Sequence, residues 1–205
     1  MTARELAFVG GDRQIWLSDS EGRAPKQLTF GEGPGAKSPW GILQSRDHTS
    51  LPCWSPDGRW MACLQTRVIG TESQETWLTV VEVEGVEERR LVLIEDGFPI
   101  YLQWSPDSAH LALLTQEESH LVLGMCSVQK LGEYRVVEEG APLFFSWAND
   151  SSRLLIHSGS DGDTRLLVRD VLGNEPDEFF SKRPGNFCTP LVTQNHTIFV
   201  GREED

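Results

Sequence analysis

The stretch LPCWSPDGRWMACLQ at residues 51–65 sets a pattern that two later stretches repeat. They are LQWSPDSAHLALLTQ at residues 102–116 and FSWANDSSRLLIHSG at residues 145–159. Self-similarity with a period of about 20 to 50 residues is typical of architectures that stack one supersecondary unit after another. Each copy has an anchoring tryptophan, and successive anchors lie 50 and 43 residues apart, which is the length of a four-stranded unit. The anchors are Trp54, Trp104 and Trp147.

The tight turn inside the repeat has a specific chemistry. Pro56 presets the backbone angle φ of a turn, the side chain of Asp57 can accept backbone N–H groups, and Gly58 tolerates positive φ. We interpret these residues as turn formers rather than catalytic groups. Serine replaces the glycine in both later copies, so those turns are either slightly strained or shaped differently. The equivalent residues of the later copies are Pro106, Asp107, Ser108, Asp150 and Ser151.

The segments around each turn predict four short strands per unit. The second and third strands are apolar at nearly every position, as expected for a sheet covered on both faces. No segment shows the apolar spacing of a helix, so we predict an all-β chain. Four-stranded antiparallel sheets stacked around an axis form a β-propeller, and about four to five blades are present. The predicted single domain comprises a partial blade at 1–30, a loop at 31–50, blades at 51–95, 96–139 and 140–182, and a partial blade at 183–205.

The repeats with a WSPDG turn resemble the WD40-like blades of TolB-type propellers. The same blades form the N-terminal domain of prolyl oligopeptidase family peptidases. The resemblance covers most of the chain and is strongest at residues 54–64 and 104–114. The third copy departs from the family pattern, with Ala148 and Asn149 where the pattern has serine and proline. Propellers carry many unrelated activities, so the resemblance implies a fold more than a function.

The strand count leaves the closure of the ring open. The chain begins with the last three strands of one blade and ends with the first two strands of another. The segment FCTPLVT at residues 187–193 could supply the missing strand of the first blade, but the strand after it would then be surplus. Three alternatives stay open: a four-bladed ring with an extra edge strand, a fragment of a longer propeller, or a half-ring completed by a second copy. We favour the last two together, because TolB-type propellers usually have more blades.

Composition excludes several classes of partner. Lys and Arg number 18 and Asp and Glu 31, and the formal net charge of −13 disfavours nucleic acid and anionic membranes. The four cysteines include no C-x-x-C pair, and no cofactor or metal site is predicted. No apolar run reaches the roughly 20 residues of a membrane span. The beginning of the chain lacks a secretory signal, so we expect a cytoplasmic protein.

We expect no catalytic site in this chain. There is no G-x-S-x-G motif to seat a hydrolase nucleophile and no H-E-x-x-H metal motif. The long connections all belong to one face of the predicted ring, and binding residues accumulate on such loops. A simpler interpretation is that Trp40 covers the end of the ring and that the charged residues are only solvated. The candidate contact residues on this face are Trp40, Arg46, Asp47, His48, Asp96 and Phe98.

Two functions compete. The first is a non-catalytic scaffold that binds a protein or peptide through the loop-rich face; TolB-like propellers, the resemblance implies, dock partner proteins. The second is the propeller of a prolyl oligopeptidase-type serine peptidase, separated from its hydrolase domain. An enzyme built on the propeller itself is disfavoured, because the predicted inner strands offer few polar groups to the channel. The sequence favours the scaffold, with a homodimer as one way to complete the ring.

Overall fold

The fold is known from a computed structural model. It describes residues 5–30, 47–69, 73–85, 87–95, 97–130, 132–160, 163–171, 173, 175–181, 191–192 and 197–198. These residues contain seventeen β-strands and no helix. Within them we find no helix with the length and apolar character that crossing a membrane would need. The chain forms two compact units, Met1–Glu95 and Asp96–Asp205.

The first unit contains an incomplete blade and a complete one. In each sheet, neighbours in the chain pair antiparallel. The first blade has three strands and the second has four. The strands are β1 (Glu5–Val9), β2 (Ile15–Asp19), β3 (Lys26–Gln27), β4 (His48–Trp54), β5 (Trp60–Ile69), β6 (Ser73–Glu82) and β7 (Glu88–Ile94).

The second unit contains two four-stranded blades and a strand pair, all antiparallel. The third blade comprises β8 to β11 and the fourth β12 to β15. The strands are β8 (Phe98–Trp104), β9 (His110–Glu117), β10 (His120–Ser127), β11 (Tyr134–Gly140), β12 (Leu143–Trp147), β13 (Arg153–Ser160), β14 (Asp163–Asp170), β15 (Glu178–Ser181), β16 (Leu191–Val192) and β17 (Thr197–Ile198).

The all-β prediction with four-stranded antiparallel blades is confirmed. One predicted boundary is wrong, because β4 begins at His48, inside the predicted loop 31–50. His48 and Thr49 pair with Thr66 and Gln65 near the far end of the ten-residue β5. These polar residues lack the apolar signature of a strand, so the pattern could not reveal them. The other blade limits, the single domain and the closure of the ring stay predictions.

The turn between β4 and β5 is closed by side chains as well as backbone. Asp57 Oδ1 accepts hydrogen bonds from the Ser55 hydroxyl at 2.6 Å and from the Arg59 N–H at 3.0 Å. Ser55 Oγ accepts a bond from the Trp60 N–H at 2.9 Å. Gly58 has φ of 73°, the left-handed conformation that glycine adopts without steric cost. The turn therefore fixes the register of the two inner strands.

The third and fourth blades reach the same turn with different donors. In the third, the Ser105 hydroxyl donates to Asp107 Oδ1 at 2.5 Å. In the fourth, Ala148 stands in place of that serine, and the Ser152 hydroxyl donates to Asp150 at 2.7 Å instead. This hydrogen bond lowers the pKa of Asp150. The donor hydroxyl therefore lies two residues before the aspartate in the third blade and two residues after it in the fourth.

The serines that replace glycine keep the shape of the glycine turn. Ser108 and Ser151 have φ of 61° and 62°, in the same region as Gly58. A non-glycine residue there carries a steric cost of roughly 1–2 kcal/mol. Ser151 gains a compensating contact, because its Oγ accepts the Asp107 N–H at 2.9 Å. The repeats therefore keep their turn geometry despite the changed residue.

The conformation of Gly58 makes a substitution with a matched control testable. A Cβ added at Gly58 or at Gly11 meets no atom within 4 Å, but only Gly58 has φ in the left-handed region. We expect Gly58→Ala to lower the free energy of unfolding by about 1 kcal/mol. Gly11→Ala should leave it unchanged or raise it slightly, because alanine reduces the freedom of the unfolded chain. Urea denaturation compares the two; equal effects would contradict the assigned backbone strain.

Each unit has an apolar core formed where two blades face each other. The core of the first unit lies between the first and second blades, and that of the second unit between the third and fourth. Burial of one such side chain stabilises the fold by about 1.5–3 kcal/mol. The first core contains Ile15, Leu17, Leu28, Met61, Cys63, Val81 and Val83. The second contains Ala112, Leu114, Leu123, Met125, Leu143, Phe145, Trp147, Leu154, Ile156, Leu167 and Val171.

The cysteines of the described residues are free thiols. Cys63 lies in the first unit and Cys126 in the second, and both are buried. Burial raises the pKa of each thiol to about 12. Both therefore stay protonated at neutral pH, as expected for cysteines that pack as small apolar residues.

Candidate functional site

A cleft of about 120 Å³ opens between the first and second blades, wholly within the first unit. We call it the blade 1–2 cleft. It lies where β4 begins and β5 nears its end, and one wall follows the face of the second blade as far as β7. Two of the predicted contact residues line it. The lining residues used below are Gln14, Phe30, Asp47, His48, Thr49, Trp77, Glu88 and Arg90.

A chain of buried polar groups supports the cleft. The Thr29 hydroxyl accepts the Ile15 N–H at 2.8 Å and donates to Gln14 Oε1 at 3.0 Å. Thr49 belongs to the second blade, and its hydroxyl donates to the Arg13 carbonyl at 3.1 Å. The backbone N–H of Thr49 donates to the same carbonyl at 2.8 Å. Buried polar groups satisfied in this way hold the two blades at a fixed separation.

Asp47 holds the end of the long connection in place. Its backbone carbonyl accepts a hydrogen bond from Gln14 Nε2 at 3.1 Å. Its carboxylate oxygen Oδ1 lies 3.4 Å from the Val68 N–H at the end of β5. The residue therefore contacts both blades. The predicted contact residue Asp47 thus has a structural role that its charge alone did not indicate.

The wall of the second blade combines an aromatic ring with opposite charges. The Arg90 guanidinium lies 6.0 Å from the centroid of the Trp77 ring, within the range of a cation–π contact. Glu88 Oε1 lies 3.8 Å from Arg90 Nε. Phe30 lines the cleft with 68% of its surface exposed. The wall therefore offers an aromatic surface and both signs of charge side by side.

The predicted contact residues fall into three groups. Asp47 and His48 line the cleft, and the side chain of His48 is half-buried. Phe98 begins β8 in the second unit, and 71% of its surface is exposed. The other three, Trp40, Arg46 and Asp96, lie outside the described residues. The assignment of all six to a binding site stays a prediction.

Sequence reasoning missed several residues that form the cleft. Trp77 lies on β6 and Arg90 on β7. The pattern of these segments predicted strands of a blade and gave no sign of a binding site. Thr29 and Thr49 are polar and belong to no apolar pattern. They lie in the cleft because of contacts with residues distant in the sequence, which the pattern does not show. Among the described residues, no group of three or more His, Cys, Asp or Glu side chains is placed to hold a metal ion.

Comparisons with known proteins identify the fold. Neither a protein-family model nor a curated protein sequence matches the chain. Among solved structures, TolB from Acinetobacter baumannii matches with a TM-score of 0.57 and 14% identity, over 98% of this chain and 47% of TolB. A prolyl endopeptidase matches with a TM-score of 0.57 and 16% identity, over 91% of this chain and 28% of the peptidase. An oligogalacturonate lyase matches with a TM-score of 0.55 and 16% identity, over 98% of this chain and 68% of the lyase.

These likenesses cover nearly the whole of this chain but only part of the matched proteins. The chain spans about half the length of TolB and less than a third of the prolyl endopeptidase. At identities of 14 to 16% the likeness concerns the arrangement of strands and not an activity. The repeat and the structure therefore agree on the fold: this chain is built from four-stranded β-propeller blades similar to those of TolB.

Proposed function

We propose that the chain is a non-catalytic scaffold that binds a protein or peptide through its loop-rich face, with the blade 1–2 cleft as part of the binding surface. The observation that carries the proposal is the exposed Phe30 beside a cleft wall that offers Trp77 and Arg90. Aromatic and arginine side chains are enriched among the residues that dominate binding energy at protein interfaces. The rigid polar support beneath the cleft would keep these groups preorganised.

The second unit offers a similar feature. Phe98 stands at the beginning of β8, as His48 stands at the beginning of β4. Loop ends on a rigid scaffold are common sites of binding residues. The net charge of −13 further favours a partner with a basic surface over another acidic one. The exposed Phe30 and Phe98, together with the charged residues that line the cleft, would then select specific partners.

The proposal predicts a loss of binding without a loss of stability. Phe30→Asp and Phe98→Asp should each weaken the binding of a captured partner by about tenfold or more. Both side chains are exposed, so the melting temperature should change little. Affinity is measured by titrating the purified partner against each variant. Trp40→Ala and Arg46→Ala extend the test to the rest of the predicted face.

Phe179→Asp is the matched control. Phe179 is also exposed, at 59%, and lies on the outer strand β15. Its replacement removes the same apolar area and adds the same charge outside the proposed face. Loss of binding in this control as well would indicate nonspecific adhesion, and unchanged affinity in both test variants would refute the proposed surface.

The alternative is the propeller portion of a prolyl oligopeptidase-type serine peptidase that lacks its hydrolase domain. The likeness to a prolyl endopeptidase over 91% of this chain favours it. Such a propeller would act as a filter over an active site carried by another polypeptide segment. A hydrolase reading frame with a G-x-S-x-G motif next to the coding sequence would support this alternative over the scaffold.

A further inference from the structure

Three buried polar atoms between the third and fourth blades have no hydrogen-bond partner among the described residues. They are Oε1 of Gln103 on β8, Nδ1 of His110 on β9 and Nε1 of Trp147 on β12. All three residues belong to the second unit. Most buried polar groups of folded proteins are paired, because an unpaired group loses its bonds to water and gains none in return. Three such atoms in one interface therefore require an explanation.

Gln103 and His110 lie on the face of the third blade that meets the fourth. Gln103 pairs with Ala112 in the register of β8 and β9, and residues directly opposite each other in an antiparallel pair share a face. His110 lies two residues before Ala112 on β9, which places it on the same face. Ala112 belongs to the core that the two blades share. Both polar side chains therefore lie on the face directed towards the fourth blade.

Trp147 meets this face from the fourth blade, with only 4% of its surface exposed. Its ring stacks on the His110 ring, and the ring centroids lie 6.4 Å apart. Two residues earlier on β12, Phe145 contacts Tyr101 of β8 with ring centroids 5.7 Å apart. Along the face of the third blade, Gln103 lies between Tyr101 and His110. Gln103 therefore lies between these two ring contacts, beside Trp147.

Direct contacts on either side of the three atoms hold the two blades together. On the side of the tight turns, the Asp107 N–H donates to Ser151 Oγ at 2.9 Å. On the other side lies the edge-to-face contact of Tyr101 with Phe145. The three polar atoms are therefore enclosed between a hydrogen bond and a ring contact, within the core of the second unit.

The three atoms do not complement one another. The indole Nε1 of Trp147 can only donate, and Oε1 of Gln103 can only accept. Nδ1 of His110 accepts when the ring proton is on Nε2. One donor cannot satisfy two acceptors, so the missing partner must donate two hydrogen bonds and accept at least one. Water has this capacity, whereas an alcohol donates only one bond and an ammonium ion accepts none.

We propose that a single buried water molecule is bound at this site. It accepts a hydrogen bond from Trp147 Nε1 and donates to Gln103 Oε1 and His110 Nδ1, with the ring proton of His110 on Nε2. Buried waters in globular proteins typically make about three hydrogen bonds to polar groups that otherwise lack partners. This water joins side chains of β8, β9 and β12 and so links the two blades inside their core. The site is separate from the loop-rich face, and its failure would leave the proposed function standing.

A high-resolution crystal structure of the chain tests the proposal directly. One water oxygen should lie about 2.7–3.2 Å from each of the three atoms. A site without density for this water would overturn the proposal. So would side chains that bond to one another directly, with Trp147 Nε1 donating to Gln103 or to His110.

The sign of the effect of Gln103→Met separates a paired Oε1 from an unpaired one. Methionine is similar in size to glutamine but apolar. If water pairs Oε1, the substitution loses a hydrogen bond, and the ratio of folded to unfolded protein should fall by a factor of about five to ten. If Oε1 lacks a partner, the ratio should rise instead, which would overturn the proposal. Gln116→Met, at an exposed position of β9, is the matched control and should change the ratio by less than about twofold.

A double substitution shows whether the side chains share one ligand. Trp147→Phe removes the donor and keeps a ring in the core. With a shared water, the combined loss in Gln103→Met and Trp147→Phe should be smaller than the product of the two single losses, because the first change already weakens the bonds that the second removes. Independent losses would overturn the shared water. If Trp147→Phe fails to fold, the crystal structure and Gln103→Met still decide the question.

Discussion

Replacement of Glu138 by glutamine should lower the free energy of unfolding by about 3 kcal/mol. Glu138 is buried on β11, and both of its carboxylate oxygens are paired with the neighbouring blade. Oε1 lies 2.6 Å from Arg165 Nη2, and Oε2 lies 2.7 Å from Arg169 Nη1. Arg169 also donates to the Val137 carbonyl. The neutral amide would leave a half-buried guanidinium facing a group without charge, at the junction of the third and fourth blades.

The size of this effect separates a buried pair from an exposed one. Glu139→Gln is the matched control, because Glu139 is the next residue and its contact with His120 is exposed at 3.9 Å. Exposed pairs contribute about 0–1 kcal/mol. Thermal denaturation should show a decrease of roughly 6–12 °C for Glu138→Gln. Similar small decreases in both variants would mean that the buried network does not hold the blades together.

Acid should weaken the same network through Asp177. Hydrogen bonds from Arg169 at 2.5 and 2.8 Å lower the pKa of the Asp177 carboxyl below its ordinary value. A carboxyl whose pKa is lower in the folded state stabilises the fold above the unfolded pKa of about 3.9. That contribution is lost as pH falls through the folded pKa. The stability difference between wild type and Asp177→Asn should therefore be present at neutral pH and disappear in acid.

Truncation of Ile156 should destabilise the protein by about 2–5 kcal/mol. Ile156 lies on β13, is fully buried, and belongs to the core between the third and fourth blades. Ile156→Ala removes its packing and leaves a cavity, whereas Ile156→Val removes one methyl group and should cost about 0.5–1.5 kcal/mol. Val136→Ala, at an exposed site on β11, should have almost no effect. Denaturant unfolding of the three variants measures this series; equal values for valine and alanine would contradict a tightly packed core.

The repeat predicted the blades because its chemistry is local. Trp54, Pro56 and Gly58 lie within five residues, and the turn is closed by hydrogen bonds among residues 55–60. The strands on either side of the turn are likewise recognised from consecutive apolar residues. The beginning of β4 escaped prediction because His48 and Thr49 owe their strand conformation to a distant partner, the long β5. Local chemistry thus predicted the blades but not their limits.

The candidate site was predicted only in part, for the same reason. The position of Asp47 and His48 at the end of a long connection suggested a binding face, and both line the cleft. The chemistry of the cleft depends on Trp77 and Arg90, which meet across neighbouring strands. The ion pair between Glu138 and Arg165 likewise joins residues on different blades. No spacing rule along the chain predicts such contacts, since they arise only when strands pair and sheets stack.

The two buried thiols give each compact unit its own reporter of opening. An alkylating reagent reacts with thiolate, and a pKa of about 12 keeps Cys63 and Cys126 almost fully protonated while they are enclosed. Exposure to water would restore an ordinary thiol and with it rapid labelling. Pulse alkylation followed by peptide mass mapping can therefore time the opening of residues around Cys63 and around Cys126 separately, in a single sample and without an engineered label.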